Sequence, residues 1–287
     1  MIAVCKHELR GYFHTLTAYV FGAGLLLAVG LGAMLYNIEA AVSNFEFALS
    51  YFSIIFAVIV PILTMRVIAE ERRQRTDQLL YALPITTAQV IAGKYLALLA
   101  VYLIPLCVIA VYPLIFSMFG EVYLLTAYGS ILAFFIMGAA LIALGVFISS
   151  LTDNQGFAAG IGVAVILLNY YSVSLSEYVS ATALGSAAAL AVLILLLGAV
   201  IRHLTGNETL AYAVWFVLTA LMVIAGFADS RVFEGLLPDI MAKLSLFDRF
   251  TGFVNGVFDL TAVVYYGSVI VFFLFLSVQS LEKRRYN

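Results

Sequence analysis

The sequence predicts an all-α polytopic membrane protein with about eight transmembrane helices. Hydrophobic residues make up 64% of the chain and charged residues 10%, whereas soluble domains contain about 25% charged residues. Apolar runs long enough to cross a bilayer as a helix recur from the first 20 residues to the last 30. The net charge of −2 argues against a nucleic-acid partner.

Eight apolar stretches have the length of a membrane span. They lie at about 17–37, 51–69, 93–118, 127–150, 156–174, 183–202, 209–228 and 260–280. The outer loops of this arrangement hold only Arg231, Lys243 and Arg249, and the other 11 of the 14 Lys and Arg residues fall in cytoplasmic segments. Because positive charge favours the cytoplasmic side, both termini are predicted to be cytoplasmic.

Residues 1–16 have helical periodicity. One face is apolar and contains Ile2, Cys5, Leu9, Tyr12, Phe13 and Leu16; the other is polar and contains Lys6, His7, Glu8, Arg10 and His14. This pattern predicts an amphipathic helix that lies in the membrane interface before the first span. The alternative is a simple basic flank of that span.

The densest charge in the chain lies between the second and third spans. Six charged residues fall within eight positions: Glu70, Glu71, Arg72, Arg73, Arg75 and Asp77. Charge is costly in lipid, so this stretch lies in water. Pro84 should end a short helix, and Thr86 with Gln89 reads as a capping box that opens the next span. We therefore predict a cytoplasmic helix over 70–84, which either contacts a soluble partner or only fixes the topology.

Residues 229–259 form the longest polar loop. Their apolar side chains recur every three or four positions among charged ones. This spacing predicts one or two amphipathic helices on the outer membrane surface. Such a segment would either cap an exit path or pack over the ends of the spans.

Sequence motifs for catalysis are missing. Gly93-Lys94 is followed by Tyr95 and lacks the glycine and Ser/Thr of a phosphate-binding P-loop. We predict no catalytic, cofactor or metal site, and no disulfide between the distant Cys5 and Cys107. A membrane protein of this kind is either passive or driven by an external motor. A secondary transporter or channel, a non-transporting scaffold subunit and an intramembrane enzyme remain the alternatives.

Four groups of residues, in the same order along the chain, resemble the permease subunits of ABC-2 type transporters, closest to the gliding-motility-type permeases. The N-terminal group contains Glu8-Leu9, Tyr12-Phe13 and Ala18-Tyr19-Val20. The second contains Pro61, Met65-Arg66, Glu70-Glu71-Arg72, Thr76, Leu79-Leu80, Pro84 and Gly93-Lys94. The third contains Ser149-Ser150-Leu151 and Asn154-Gln155, and the last Phe247, Phe250, Gly256 and 276–285.

This resemblance implies a type V exporter-like permease, a single transmembrane domain over 1–287 in a bacterial plasma membrane. Its six-helix core would carry an inserted helix pair at 183–228 and an extracytoplasmic amphipathic segment at 229–259. The partners it implies are a cytoplasmic ABC ATPase, which binds ATP and Mg, and a second permease, identical or different. The cargo and any extracytoplasmic accessory protein stay open.

The resemblance also implies that 70–84 is a coupling helix, seated in a groove of the ATPase; we call 70–84 the coupling segment. Glu70 and Glu71 would anchor its start. Arg72, Arg73 and Arg75 would contact the ATPase surface, with Thr76 beside them, or would instead contact lipid headgroups. Leu79, Leu80 and Leu83 would transmit the movement, or instead pack on the chain's own spans. Asp153, Asn154 and Gln155 would form the second cytoplasmic turn. The family usually has glycine where this chain has Arg75.

Overall fold

The computed structural model describes residues 1–76, 85–178, 182–205, 208–228 and 233–286, and over these ranges it contains helices and no strand. Contacts within the chain divide it into two compact units. The first unit comprises Met1–Leu168 and Leu246–Val278, and the second comprises Asn169–Ser245 and Gln279–Asn287.

The helices of the first half follow the predicted spans closely. They are α1 Ile2–His14, α2 Thr17–Gly32, α3 Phe45–Tyr51, α4 Phe56–Thr64, α5 Ala69–Gln74, α6 Thr87–Ile109, α7 Tyr112–Ser117 and α8 Leu124–Leu151. A π-helical stretch, Ala33–Glu39, extends α2, and a 3₁₀ turn, Phe52–Ile55, joins α3 to α4. Thr86 caps α6 in the predicted capping box, since its hydroxyl accepts the backbone N–H of Gln89 and the Gln89 side chain accepts that of Thr86.

The remaining helices include the predicted outer segment. They are α9 Gln155–Tyr170, α10 Ser172–Tyr178, α11 Ala183–Thr205, α12 Glu208–Ala228, α13 Leu236–Leu244, α14 Leu246–Val254 and α15 Leu260–Tyr286. Two amphipathic helices, α13 and α14, therefore lie within 229–259, of which residues 229–232 fall outside the described ranges.

Five of the described helical stretches are long and apolar enough to cross a membrane. They are Thr17–Glu39, Phe45–Gln74, Thr87–Ser117, Leu124–Leu151 and Leu260–Lys283. The pair α9 and α10 adds a sixth if it counts as one span, although it bends by 63° at its break. The described apolar parts of α11 and α12, Gly185–Leu196 and Tyr212–Met222, are shorter, so the predicted total of eight spans stays a prediction.

The core of the first unit is built around α8, and 78% of the most apolar part of this helix is buried. Tyr102 of α6 lies at its centre, where its hydroxyl donates to the carbonyl of Phe134 at 2.8 Å and its ring meets Phe21 and Phe56 edge-on. Gly138 of α8 allows this approach, because a Cβ there would lie 2.6 Å from the Tyr102 ring.

Helix α14 packs against the N-terminal half of α8 in the same core. Phe250 is buried against Phe134, with ring centroids 5.7 Å apart, and Ser130 of α8 donates its hydroxyl to the carbonyl of Phe253 at 3.0 Å. Tyr266 of α15 donates to the carbonyl of Leu246 at 2.7 Å. Helix α14 therefore packs against α8 and α15.

Candidate coupling site

The second predicted span is broken near its C-terminal end, and a serine of α8 bonds to the backbone at the break. Helix α4 ends at Thr64, one turn after Pro61, and α5 starts at Ala69. The hydroxyl of Ser149 accepts the backbone N–H groups of Ile68 and Ala69, each at 3.2 Å, and donates to the carbonyl of Met65 at 3.3 Å. One hydroxyl thus satisfies three backbone groups that the break leaves without helical partners.

Glycine lets α8 come close enough for these bonds. A Cβ on Gly145 would lie only 2.3 Å from Oγ1 of Thr64, so any side chain there would force α4 and α8 apart. Because the two helices are in direct contact at this point, displacement of α4 must also displace α8.

Lys94 of α6 joins three elements through one buried charge. Its Nζ lies 2.6 Å from a carboxylate oxygen of Glu8 on α1 and 2.6 Å from one of Glu71 on α5. The Lys94 side chain is 1% exposed, whereas Glu8 and Glu71 are 17% and 25% exposed. Two carboxylates around one ammonium supply the pairing that a buried charge requires. Glu71, which is predicted to anchor the start of the coupling segment, is thus paired with Lys94.

Helix α1 reaches Lys94 because of the preceding glycine. A Cβ on Gly93 would lie 2.9 Å from Cβ of Val4 and 3.0 Å from the carbonyl oxygen of Met1. Glu8 therefore lies on the packed face of α1, and its assignment to the solvent-facing side of an amphipathic helix is wrong. Burial, reinforced by the Glu8 carboxylate, raises the pKa of the neighbouring Tyr12 phenol well above its usual value.

Arg72, which is predicted to contact the ATPase surface, is turned into the protein. Its side chain is 2% exposed, its guanidinium donates to the carbonyl of Ser150, and its Nη1 lies 3.9 Å from Oδ1 of Asp153. The residue therefore links α5 to the second cytoplasmic turn. A buried guanidinium needs acceptors, and the Ser150 carbonyl and the Asp153 carboxylate supply them.

The second cytoplasmic turn starts α9. The side-chain oxygen of Asn154 accepts the backbone N–H groups of Gly156 at 3.0 Å and Phe157 at 3.3 Å, as an N-cap residue does. Gln155 is the first residue of α9, and Asp153 is exposed beside Arg72. The turn thus presents Asp153 to α5.

Helix α5 ends before the coupling segment does. Arg75 has a left-handed backbone with φ 57°, and the N–H of Thr76 bonds back to the carbonyl of Glu71 at 3.0 Å. One helix over 70–84 is therefore wrong, because the α-helix stops at Gln74. Arg73, Arg75 and Thr76 are exposed. The predicted contacts Leu79, Leu80 and Leu83 lie outside the described residues.

Glu70 takes part in a separate, more exposed group. It lies 3.6 Å from Nε of Arg66, one turn earlier, and Arg66 reaches the hydroxyl of Thr17 at 3.5 Å. These residues border a cleft of about 640 Å³ between α1 and α5, which Tyr12 and Thr76 also line. Glu70 thus faces this cleft, which Glu8 and Glu71, the two partners of Lys94, also line.

Sequence reasoning missed Glu8, Lys94 as an ionic centre, and Ser149 as a bridge across the helix break. Lys94 carried a usable signal, because a lysine just inside an apolar span requires an acidic partner. Ser149 carried none, since a serine in a membrane helix usually bonds a carbonyl of its own helix.

A comparison with protein-family models matches residues 33–176 to the model described as ABC-2 family transporter protein. The match covers half of the chain and includes α5, Lys94, Ser149 and the second cytoplasmic turn. Searches of curated proteins and of solved structures found no match. The chain therefore belongs to the ABC-2 transporter family, as a multi-pass membrane subunit.

Proposed function

We propose that this chain is the permease subunit of an ABC exporter of the gliding-motility type, driven by a separate cytoplasmic ATPase that docks on the coupling segment. The carrying observation is the attachment of α5. Lys94 ties it to α1 and α6, Ser149 ties its start to α8, and Arg72 ties it to the turn before α9.

This attachment gives a way for an applied force to reach the spans. A helix joined by charge-assisted bonds moves together with its partners, because each bond would otherwise be broken in a buried setting. Displacement of the exposed end of α5 would therefore displace α1, α6 and α8 together. In a pair of permeases, closure of two ATPases on ATP and Mg would move both coupling segments and open a path at the permease–permease interface.

Arg73 and Arg75 are the docking contacts in this proposal. Both are exposed, and neither takes part in the ionic contacts that hold α5. Exposed positive charge favours a partner surface of opposite sign and penalises a charge reversal strongly. Arg72, which is buried, acts instead within the permease.

The double substitution Arg73→Glu and Arg75→Glu should reduce the ATPase that co-purifies with the chain in mild detergent by about tenfold or more. Lys243→Glu is the matched control, because Lys243 is also exposed but lies in the predicted outer segment. Equal thermal unfolding of both variants would show that the permease itself is intact. Undiminished ATPase recovery with Arg73→Glu and Arg75→Glu would disprove the docking assignment.

Reconstitution of the same preparations in liposomes separates the alternatives. An exporter moves its cargo only when the ATPase and ATP are both present, and the charge-reversal variant should lose this movement. Movement without the ATPase would favour a secondary transporter or channel, and ATPase binding without any movement would favour a scaffold subunit.

A further inference from the structure

A second cleft, of about 630 Å³, lies within the other compact unit. Its lining combines apolar Leu195 and Ala199 and cationic Arg202 from α11, aromatic Tyr212 and Trp215 from α12, and cationic Lys283 near the end of α15. The cleft is thus amphipathic. On the predicted topology Arg202 and Lys283 are both cytoplasmic, and their presence in one cleft agrees with that assignment.

The charged end of the cleft can accept an anion. Arg202 pairs with Glu208, but both side chains are more than half exposed, so this pair is weak. The guanidinium has five N–H donors, of which one carboxylate occupies at most two in a bidentate pair. The described residues that line the cleft include two cations, Arg202 and Lys283, and no carboxylate.

The rest of the cleft suits a hydrocarbon chain. The two helices that line it also carry exposed apolar side chains close in sequence to the lining residues: Val192, Leu193 and Leu196 on α11, and Phe216 and Val217 on α12. Tyr212 and Trp215 are aromatic residues with a polar group, which is the type enriched where headgroups meet acyl chains. Exposed apolar side chains next to a cationic end match an amphiphile and do not match a free anion.

We propose that this cleft binds an anionic phospholipid of the cytoplasmic leaflet. Its phosphate would lie between Arg202 and Lys283, and an acyl chain would follow Leu195 and Trp215. Basic pockets between membrane helices on the cytoplasmic side recognise anionic headgroups in this way. The site shares no residue with α5 or the proposed ATPase docking surface, so either proposal can fail alone.

Trp215 makes the proposal measurable, because it is the only tryptophan in the chain. A bromine atom on an acyl chain quenches tryptophan fluorescence only at close range. The purified full chain in mild detergent is titrated with brominated phosphatidylglycerol and, in parallel, with brominated phosphatidylcholine. We expect Trp215 to be quenched at a lower mole fraction of the anionic lipid, and the difference to shrink at high salt.

Variants test whether Arg202 and Lys283 cause the preference for the anionic lipid. The double substitution Arg202→Gln and Lys283→Gln should weaken binding of the anionic lipid about fivefold for each lost charge. The quenching of Trp215 by brominated phosphatidylcholine should stay unchanged. Arg202→Lys with Lys283→Arg should retain the preference, and Lys243→Gln is the control for loss of a cation elsewhere. An unchanged thermal unfolding temperature shows that each variant is folded.

Two results would overturn the proposal. Equal quenching by both lipids would mean ordinary lipid contact with an exposed apolar face. No quenching by either lipid would mean that protein, such as a second copy of the chain, covers Trp215.

Discussion

Replacing Lys94 by Met should lower the free energy of unfolding by about 3–5 kcal/mol, the usual cost of removing one partner from a buried ion pair. Lys94 lies 2.6 Å from both Glu8 and Glu71, and its side chain is 1% exposed. Without the ammonium, two carboxylates face each other in a partly buried site. Thermal and denaturant unfolding of the purified chain in detergent measures the loss.

The triple change Lys94→Met, Glu8→Gln and Glu71→Gln separates lost charge pairing from lost packing. It removes all three charges and should recover most of the stability, because replacing a whole buried ion cluster is often nearly neutral. Lys6→Met, on the exposed face of α1, should change stability by less than about 0.5 kcal/mol. If Lys94→Met behaved like Lys6→Met, the ionic centre would have no structural role.

Replacing Ser149 by Ala should lower the free energy of unfolding by about 2–4 kcal/mol, because it leaves the buried N–H groups of Ile68 and Ala69 without their acceptor. The break between α4 and α5 depends on this one hydroxyl. We expect a lower unfolding temperature and, in the reconstituted transporter, ATP hydrolysis that moves less cargo, because α5 is no longer held to α8.

Ser277→Ala is the control for Ser149→Ala. Ser277 is equally buried, but its hydroxyl donates to the carbonyl of Phe273 in its own helix at 2.7 Å. That carbonyl is also the ordinary acceptor of the helical backbone bond, so loss of the hydroxyl leaves no buried group unsatisfied. An equal loss of unfolding free energy in Ser149→Ala and Ser277→Ala would show that the break between α4 and α5 is stabilised in another way.

The spans and the charged coupling segment could be predicted because both are local properties of the sequence. Runs of apolar residues of the length of α2, α6, α8 and α15 have few alternatives in a chain with 10% charge. The capping box of Thr86 and Gln89 could also be predicted, since it depends on two residues three positions apart.

The candidate site was less predictable because its contacts join residues far apart in sequence. Arg72 and Arg73 are adjacent in a charged run, and only the position of Ser150 decides that Arg72 is the buried one. Glu8 falls on the polar face of α1 by periodicity, but Lys94 draws it onto the packed face. The end of α5 at Gln74 depends on the left-handed Arg75, at a position where the sequence offers no glycine.

The most direct test of the account is the accessibility of position 73. Arg73→Cys is introduced into a chain in which Cys5 and Cys107 are replaced by Ser, and membrane vesicles of both orientations are treated with a maleimide that cannot cross the bilayer. The account predicts labelling only from the cytoplasmic side, and protection from labelling when the ATPase is bound. Labelling from the outer side, or equal labelling with and without the ATPase, would contradict it.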